Sequence, residues 1–358
     1  MPTTGWTDFR AALGARLDTD DVASFGDPAA ELAAARDSAA LCDLGASGVL
    51  SLAGPDAATF LQGQVTNDVE ALSPGTWQFA AWCSAKGRVL VVFALHRTRL
   101  DAFELMLPGT MLAAIRKRLA MFVLRAKVVI EDASAANVRF GIGGPAAADR
   151  LRTALGALPG PHEVARIGEA SVRALPGGRF MLGAPTTAAI ELWSQLSGHA
   201  RPAGEPAWRW LRVRGGVPRI VAATSDQFVP QALNLDALDG VSFRKGCYAG
   251  QEIVARTQYL GRLKERLVLA RVRGSPPPTP GERLYSPAFE AQPCGTVIEA
   301  AHAPRTDGED GSDLLAVLHT AAREHGDVRL GDPSGPPLEL LALPYAIPVA
   351  APPRGRIA

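Results

Sequence analysis

The 358-residue chain has only four cysteines, at positions 42, 83, 247 and 294. No two of them form a CxxC or CxxH pair, so neither a zinc site nor a disulfide framework is signalled, and reduced thiols are expected. An excess of one charge is lacking too. The 37 basic and 36 acidic side chains leave a formal net charge of +1, which supplies no general attraction to nucleic acid or to an anionic membrane. Long apolar runs are missing: those present, such as Val89 to Leu95, are strand-sized, and Met1 to Arg10 has no signal core. A cytoplasmic protein without membrane spans is therefore expected. With 47% hydrophobic and 20% charged residues, the chain can bury a large core, and its length predicts two or three domains.

Glycine and proline, by contrast, are plentiful at 36 and 28 residues, and they punctuate the chain into short elements. Asp27-Pro28 caps a predicted helix from Ala29 to Leu41. Strand-like runs follow at Gly48 to Leu52, Trp77 to Cys83, Val89 to Leu95, Ala102 to Leu107 and Lys127 to Glu131, with a helix predicted over Met111 to Phe122. Beyond Asn137 come a strand at Val138 to Ile142, a helix at Pro145 to Leu155 and a hairpin of Ser171 to Leu175 with Arg179 to Leu182. Helices are predicted at Thr186 to Leu196 and Ala207 to Arg214. Past Gly261 the texture changes to a long strand, Leu263 to Val272, and short strands near Cys294, Leu314 and Leu338 that fit a small β-barrel or sandwich. His302 to Ser312 reads as a mobile surface loop. Hairpins mixed with helices predict an α+β chain, divided into 1–135, 136–261 and 262–358, with the first two free to interleave.

The densest concentration of chemistry is Arg244-Lys245-Gly246-Cys247-Tyr248-Ala249-Gly250-Gln251-Glu252. A thiol is a nucleophile or metal ligand only as thiolate, and adjacent cations or a helix N-terminus lower its pKa from about 8.5. Arg244 and Lys245 supply cations, and Gln251 to Thr257 reads as a short helix with Glu252 in its first turn and its positive end toward Cys247. A cation about 5 Å away contributes roughly 3 kcal/mol at an effective dielectric near 20, against under about 1 kcal/mol in bulk water, so activation requires a partly shielded site. The competing reading is a small hydrophobe at a strand–helix turn. Gly246 and Gly250 permit special dihedrals or close backbone approach. Tyr248 is expected to pack against its neighbours, and Gln251 and Glu252 to hold the turn through backbone hydrogen bonds.

Lys245 to Glu252 resembles the K-G-C-Y-x-G-Q-E signature of the YgfZ family, folate-binding proteins associated with iron–sulfur enzyme maintenance and tRNA modification. Further blocks resemble the family at Gln62 to Val69, Cys83 to Arg88, Gly215 to Pro218, Gln227 to Gln231, Asn234-Leu235, Val254 to Thr257 and Gly261, leaving about the first forty residues uncovered. The resemblance implies the fold of the glycine-cleavage T-protein, an aminomethyltransferase: three segments around a central folate channel, with a C-terminal β-barrel. It implies tetrahydrofolate or a derivative as ligand and iron–sulfur client proteins or assembly factors as partners. The scattered cysteines predict no stably bound metal, and the short apolar runs and near-neutral charge predict no membrane and no strong direct nucleic-acid contact. Cys247 would be the functional thiol with Lys245 beside it, within a signature completed by Gly246, Tyr248, Gly250, Gln251 and Glu252.

Trp208, Asp68 and Arg256 are the folate candidates that the resemblance supplies. Each has a plainer reading: Trp208 as helix packing, Asp68 as a cap on the turn after Val65, Arg256 as a surface arginine. Lys86-Gly87-Arg88 forms a basic turn that would meet an acidic ligand tail or RNA, or simply be solvated. T-proteins carry acidic residues, one catalytic, on the strand matching Gly87 to Val92, where this chain has none. Where relatives on this fold commonly grip the pteridine with a glutamate, this chain has Arg214-Gly215-Gly216. These departures favour a folate-binding accessory protein that supports iron–sulfur cluster assembly or repair in client enzymes, including tRNA-modifying ones, through an exposed Cys247. The alternatives are a folate-dependent aminomethyl or methyl transferase using Asp68 or Asp226, and an RNA or protein interaction module on a transferase-derived scaffold.

Overall fold

The computed structural model describes residues 4–18, 21–259, 263–305 and 308–348. Gly261, which marked the change of texture in the sequence, lies outside the described residues. The mixed α+β reading holds: three larger sheets, with helices packed on them, organise the chain. The first is an antiparallel five-stranded sheet in the order Thr76–Cys83, Val89–Arg99, Ala102–Pro108, Ser47–Ala53 and Val129–Asp132. The second has six strands in the order Val164–Ile167, Ala170–Leu175, Arg179–Ala184, Val138–Gly143, Ala40–Asp43 and Arg201–Ala203. Ala40–Asp43 therefore joins the second sheet although it precedes all of the first, and the two units interleave there.

The third sheet, again of six strands, runs in the order Arg329–Leu330, Arg283–Tyr285, Pro293–His302, Gly311–His319, Glu265–Arg273 and Leu338–Leu341. It curls into a half-barrel, and a single bridge between Arg329 and Pro337 brings its two edges together. His302 and Ser312 face each other in paired strands. The predicted surface loop is thus confined to 303–310, of which Thr306 and Asp307 lie outside the described residues.

One predicted helix is shorter than its apolar pattern. It spans Pro28–Asp37, with Asp27 capping the Ala30 N–H at 3.0 Å, and the chain turns at Ser38 into the fully buried strand Ala40–Asp43. A strand covered on both faces presents a continuous apolar run that periodicity cannot separate from the end of a helix. Asp43 in that strand accepts hydrogen bonds from Arg10 and from the Trp6 indole, which ties the helix Thr4–Ala12 onto the second sheet.

The helix Glu205–Arg214 sits where the three sheets converge. Pro206 in its first turn, Glu205 at its positive end and Arg212 with Arg214 at its negative end suit the helix geometry and dipole. Trp208, Trp210, Leu211 and Val213 on this helix join one apolar cluster with Phe79 of the first sheet, Met181 of the second and Ile298 and Leu315 of the third. Arg212 forms a two-point pair with Glu299 of the half-barrel at 2.9 and 2.5 Å, and Asp313 accepts from the Trp210 indole at 2.9 Å and from Arg271 at 2.7 Å.

Candidate functional site

The signature forms a turn wedged between two segments of the first sheet's unit. Lys245 is 8% exposed, and its ammonium donates to the carbonyls of Gln62, Val65 and Asn67 at 2.6, 2.7 and 3.0 Å. Gln62 is the last residue of the helix Ala57–Gln62, whose terminal carbonyls have no intrahelical donor and welcome a cation. Burial lowers the Lys245 pKa to about 8, against the opposing charges of Asp68 and Glu70. The ammonium also lies 5.2 Å from the centre of the Tyr248 ring. Tyr248 is buried, as its expected packing role requires, and burial, with a smaller contribution from Cys83, pushes its phenol pKa up.

The same segment is clamped to the approach to the signature. Thr66 Oγ1 donates to the Gly240 carbonyl at 2.7 Å, the Asn67 amide donates to Asp239 and Phe79 carbonyls at 2.6 and 2.8 Å, and the Ser242 N–H reaches the Thr66 carbonyl. Asp68 accepts from the Gln62 side chain at 3.1 Å and from the Ala71 N–H at 3.2 Å, the cap geometry of its plainer reading.

Past the cysteine, Gly250 takes a left-handed φ of 81° and lies against the Ser84–Arg88 turn, where a Cβ would come within 2.4 Å of the Ser84 carbonyl oxygen. The Gln251 N–H closes the turn onto the Tyr248 carbonyl at 3.1 Å, and the helix Gln251–Tyr259 begins. Glu252 is exposed in its first turn. Gln231 anchors this helix from below, donating 2.8 Å to the Val254 carbonyl. The basic turn is itself held: Arg88 bonds the Gln227 carbonyl at 2.7 Å, and the Ser84 hydroxyl donates 2.6 Å to Asp226, leaving Lys86 exposed. The result is a braced turn with Gly246 in open space and Cys247 exposed to solvent.

The other three cysteines are buried, and burial pushes their thiols up: Cys42 strongly, Cys83 to about 12 and Cys294 to about 11. Among the described residues no group of three or more His, Cys, Asp or Glu side chains is arranged to hold a metal ion.

A cavity of about 100 Å³ lies between the first two sheets and the helix Glu205–Arg214. Phe79, Val92, Met106, Met181 and Trp208 line it, together with Arg179, Arg212 and Arg219; among the described residues no carboxylate lines it. Arg179 is 3% exposed, bonds the Pro176 carbonyl at 3.0 Å, and lays its guanidinium 5.2 Å from the Trp208 ring centre. Burial and the nearby Arg212 charge lower its pKa to about 9 despite Glu299. Gly141 gives Trp208 its place, because a Cβ there would lie 2.5 Å from the indole.

The three folate candidates are therefore separated. Trp208 lines the central cavity, while Asp68 borders a second, open cavity of about 620 Å³ that also meets Trp77, His162, Asp239 and Arg244. Arg256 stands exposed on the signature helix. Arg214, in place of the glutamate, turns toward Asp313 at 3.8 Å. Arg179 was not legible in the sequence, since nothing near Gly177-Gly178 marks it as a cavity residue. Gln231 ends the Gln227 to Gln231 block, and nothing in its residue type signals its bond to the signature helix.

Three sheets converging on one helix, with a small cavity between two of them and a braced turn presenting one thiol, define a chain with the architecture of the aminomethyltransferase T-proteins. Residues 19–162 match the family model described as the GCVT N-terminal domain. The glycine cleavage system aminomethyltransferase T of Bartonella henselae superposes with a TM-score of 0.74 over 95% of this chain and 96% of that one, at 17% sequence identity. Sequence comparison is more specific. The tRNA-modifying protein YgfZ of Yersinia pestis (strain Pestoides F) is 34% identical over 313 residues, 84% of this chain and 90% of the relative. That of Sodalis glossinidius (strain morsitans) is 34% identical over 307 residues, with the same coverage. The chain belongs to the YgfZ family. No helix among the described residues is long and apolar enough to cross a membrane.

Proposed function

We propose that this chain is a cytoplasmic, folate-binding accessory protein that supports iron–sulfur cluster assembly or repair in client enzymes, tRNA-modifying enzymes among them, with Cys247 as its working thiol. The carrying observation is the contrast between Cys247, exposed on a turn fixed from both sides, and three buried cysteines. A fixed backbone that leaves a thiol open suits transient engagement of a client better than packing. The name of the relatives, tRNA-modifying protein, is consistent with clients of that kind.

The central cavity supports the folate half. Its aromatic and thioether side chains suit a flat heteroaromatic ring, and Arg179 and Arg219 suit electron-rich or acidic edges. Trp208 is the proposed ring contact. Bound tetrahydrofolate would supply one-carbon or reducing chemistry; the chain's own residues here bind and orient. Among the described residues no carboxylate lines the cavity wall, so an acid–base role like that of a transferase has no candidate among them.

The test is complementation of a strain lacking the protein, reading iron–sulfur enzyme activity. Cys247→Ala should fail to restore it; full restoration removes the thiol from the mechanism. Titration with tetrahydrofolate should change the fluorescence of the wild type saturably and leave Trp208→Phe with a weaker response. No saturable signal and no calorimetric heat in the wild type would remove folate.

A further inference from the structure

No carboxylate occurs between Glu104 and Glu131, while Arg116, Lys117, Arg118, Arg125 and Lys127 fall within that interval. The helix Gly109–Ala120 stops short of its apolar pattern, and all five cations are exposed around the segment that follows it. Among the described residues none of the five forms an ion pair; Arg116 bonds the Ile130 carbonyl, and Arg118 lies 5.6 Å over the Trp82 ring. Of the acids nearby, Asp56 accepts the Lys127 backbone N–H at 2.7 Å and Asp132 accepts that of Ser134 at 2.9 Å while feeling the Arg116 charge.

Between these cations the chain displays large apolar side chains. Met121 is 63% exposed, Phe122 45% and Leu124 90%, and Leu124 holds a left-handed φ of 35° that a branched side chain rarely adopts. Exposed aliphatics in one patch mark an interaction surface, and methionine, phenylalanine and arginine are the residues enriched in protein interfaces.

The patch adjoins the signature. Phe122 packs edge-on against Trp82 at 5.8 Å, Trp82 bridges to Val65, and the Val65 carbonyl accepts Lys245.

We infer that residues 116–127 form the docking face for a client protein, one that presents an acidic surface with apolar side chains, and that docking there places the client beside Cys247. The inference deepens the accessory reading and rests on it. Charge complementarity selects the acidic partner. Aliphatic side chains between the cations favour protein over RNA, whose backbone gives Leu124 and Met121 nothing to bury against.

The test uses the full chain and a helical peptide of glutamates and leucines, joined through a Gly-Ser spacer and a terminal cysteine to thionitrobenzoate. The Cys247 thiolate attacks the peptide sulfur, a Cys247–peptide disulfide forms, and the coloured thionitrobenzoate thiolate leaves with the electron pair. At low salt the acidic peptide should react about tenfold faster than a lysine counterpart, an advantage that fades as salt screens it. Arg118→Glu/Arg125→Glu/Lys127→Glu should abolish the preference, and Leu124→Ser should slow the acidic peptide about threefold. Reaction with the small uncharged reagent 4,4′-dithiodipyridine should be unchanged in both variants, which shows an intact fold and thiol. A preference that survives charge reversal, or no preference in the wild type, overturns the assignment. So does suppression by a single-stranded RNA or by anionic vesicles at lower concentration than the free acidic peptide. Failure of the accessory reading would show instead as complementation by Cys247→Ala.

Discussion

Gly87 and Gly250 meet backbone to backbone: a Cβ on Gly250 would lie 2.7 Å from the Gly87 Cα, and one on Gly87 would lie 3.0 Å from the Gly250 carbonyl oxygen. Both have left-handed φ, 66° and 81°. Gly250→Ala therefore combines backbone strain with overlap and should cost about 2–3 kcal/mol in urea unfolding. Gly246 has neither problem, with open space at its Cβ position. Gly246→Ala should stay within about 0.5 kcal/mol of wild type. Equal effects of the two substitutions would show that the Gly87–Gly250 contact does not brace the turn.

The buried ammonium of Lys245 gives a pH signature. Its folded pKa of about 8 lies below the ordinary lysine value of 10.5, so between these values the unfolded chain binds more protons. Stability from this group therefore rises with pH through that window, by at most about 1.4 kcal/mol per pH unit. Below pH 8 the group is charged in both states and the dependence vanishes. Lys245→Met orphans the carbonyls of Gln62, Val65 and Asn67 and removes the dependence. The stability gap between wild type and variant should widen from pH 8 to 10 in denaturant titrations; a constant gap would place the lysine pKa elsewhere.

How much of this was legible depends on what kind of pattern carried it. The signature, the Gln62–Val69 block and the Cys83–Arg88 turn stood out separately in the sequence. Their convergence on one braced turn, through Lys245 on carbonyls and Gly250 on Gly87, could not be read, because backbone acceptors leave no trace in residue type. Residue type marks Lys245 only as a cation beside the thiol, and the hold of its N–H groups on the turn comes from tertiary packing. Strand Ala40–Asp43 hid in a helical pattern because it is buried on both faces. Arg179 escaped notice because an arginine becomes a cavity residue only through the tertiary packing that excludes water from it.

Native thiol labelling should distinguish one cysteine from three. Cys247 is exposed, whereas burial pushes Cys83 to about 12 and Cys294 to about 11, and Cys42 is buried with its pKa strongly raised. A brief iodoacetamide pulse followed by peptide mass spectrometry should mark Cys247 in the folded protein and all four after denaturation. Cys247→Ser should leave the native protein essentially unlabelled. Comparable labelling of Cys83 would mean that the signature turn opens on the timescale of the pulse.

The Arg212–Glu299 pair joins the central helix to the half-barrel and should dominate the stability of that junction. Burial opposes the Arg212 charge, yet Glu299 outweighs it by charge and hydrogen bonding, with Glu205 adding to the effect, so the guanidinium pKa is raised. Glu299→Gln leaves a buried guanidinium with Glu205 at 3.5 Å as its remaining ion-pair partner, and Glu205 is already shared with Arg209 at 2.5 Å. The expected cost is about 3 kcal/mol in urea unfolding, the range found when one member of a buried pair is removed. Replacing both members, Arg212→Met with Glu299→Leu, removes the stranded charge and should recover most of that loss. A double variant no more stable than Glu299→Gln would mean that Arg212 holds the helix through its packing against the cavity wall rather than through its charge.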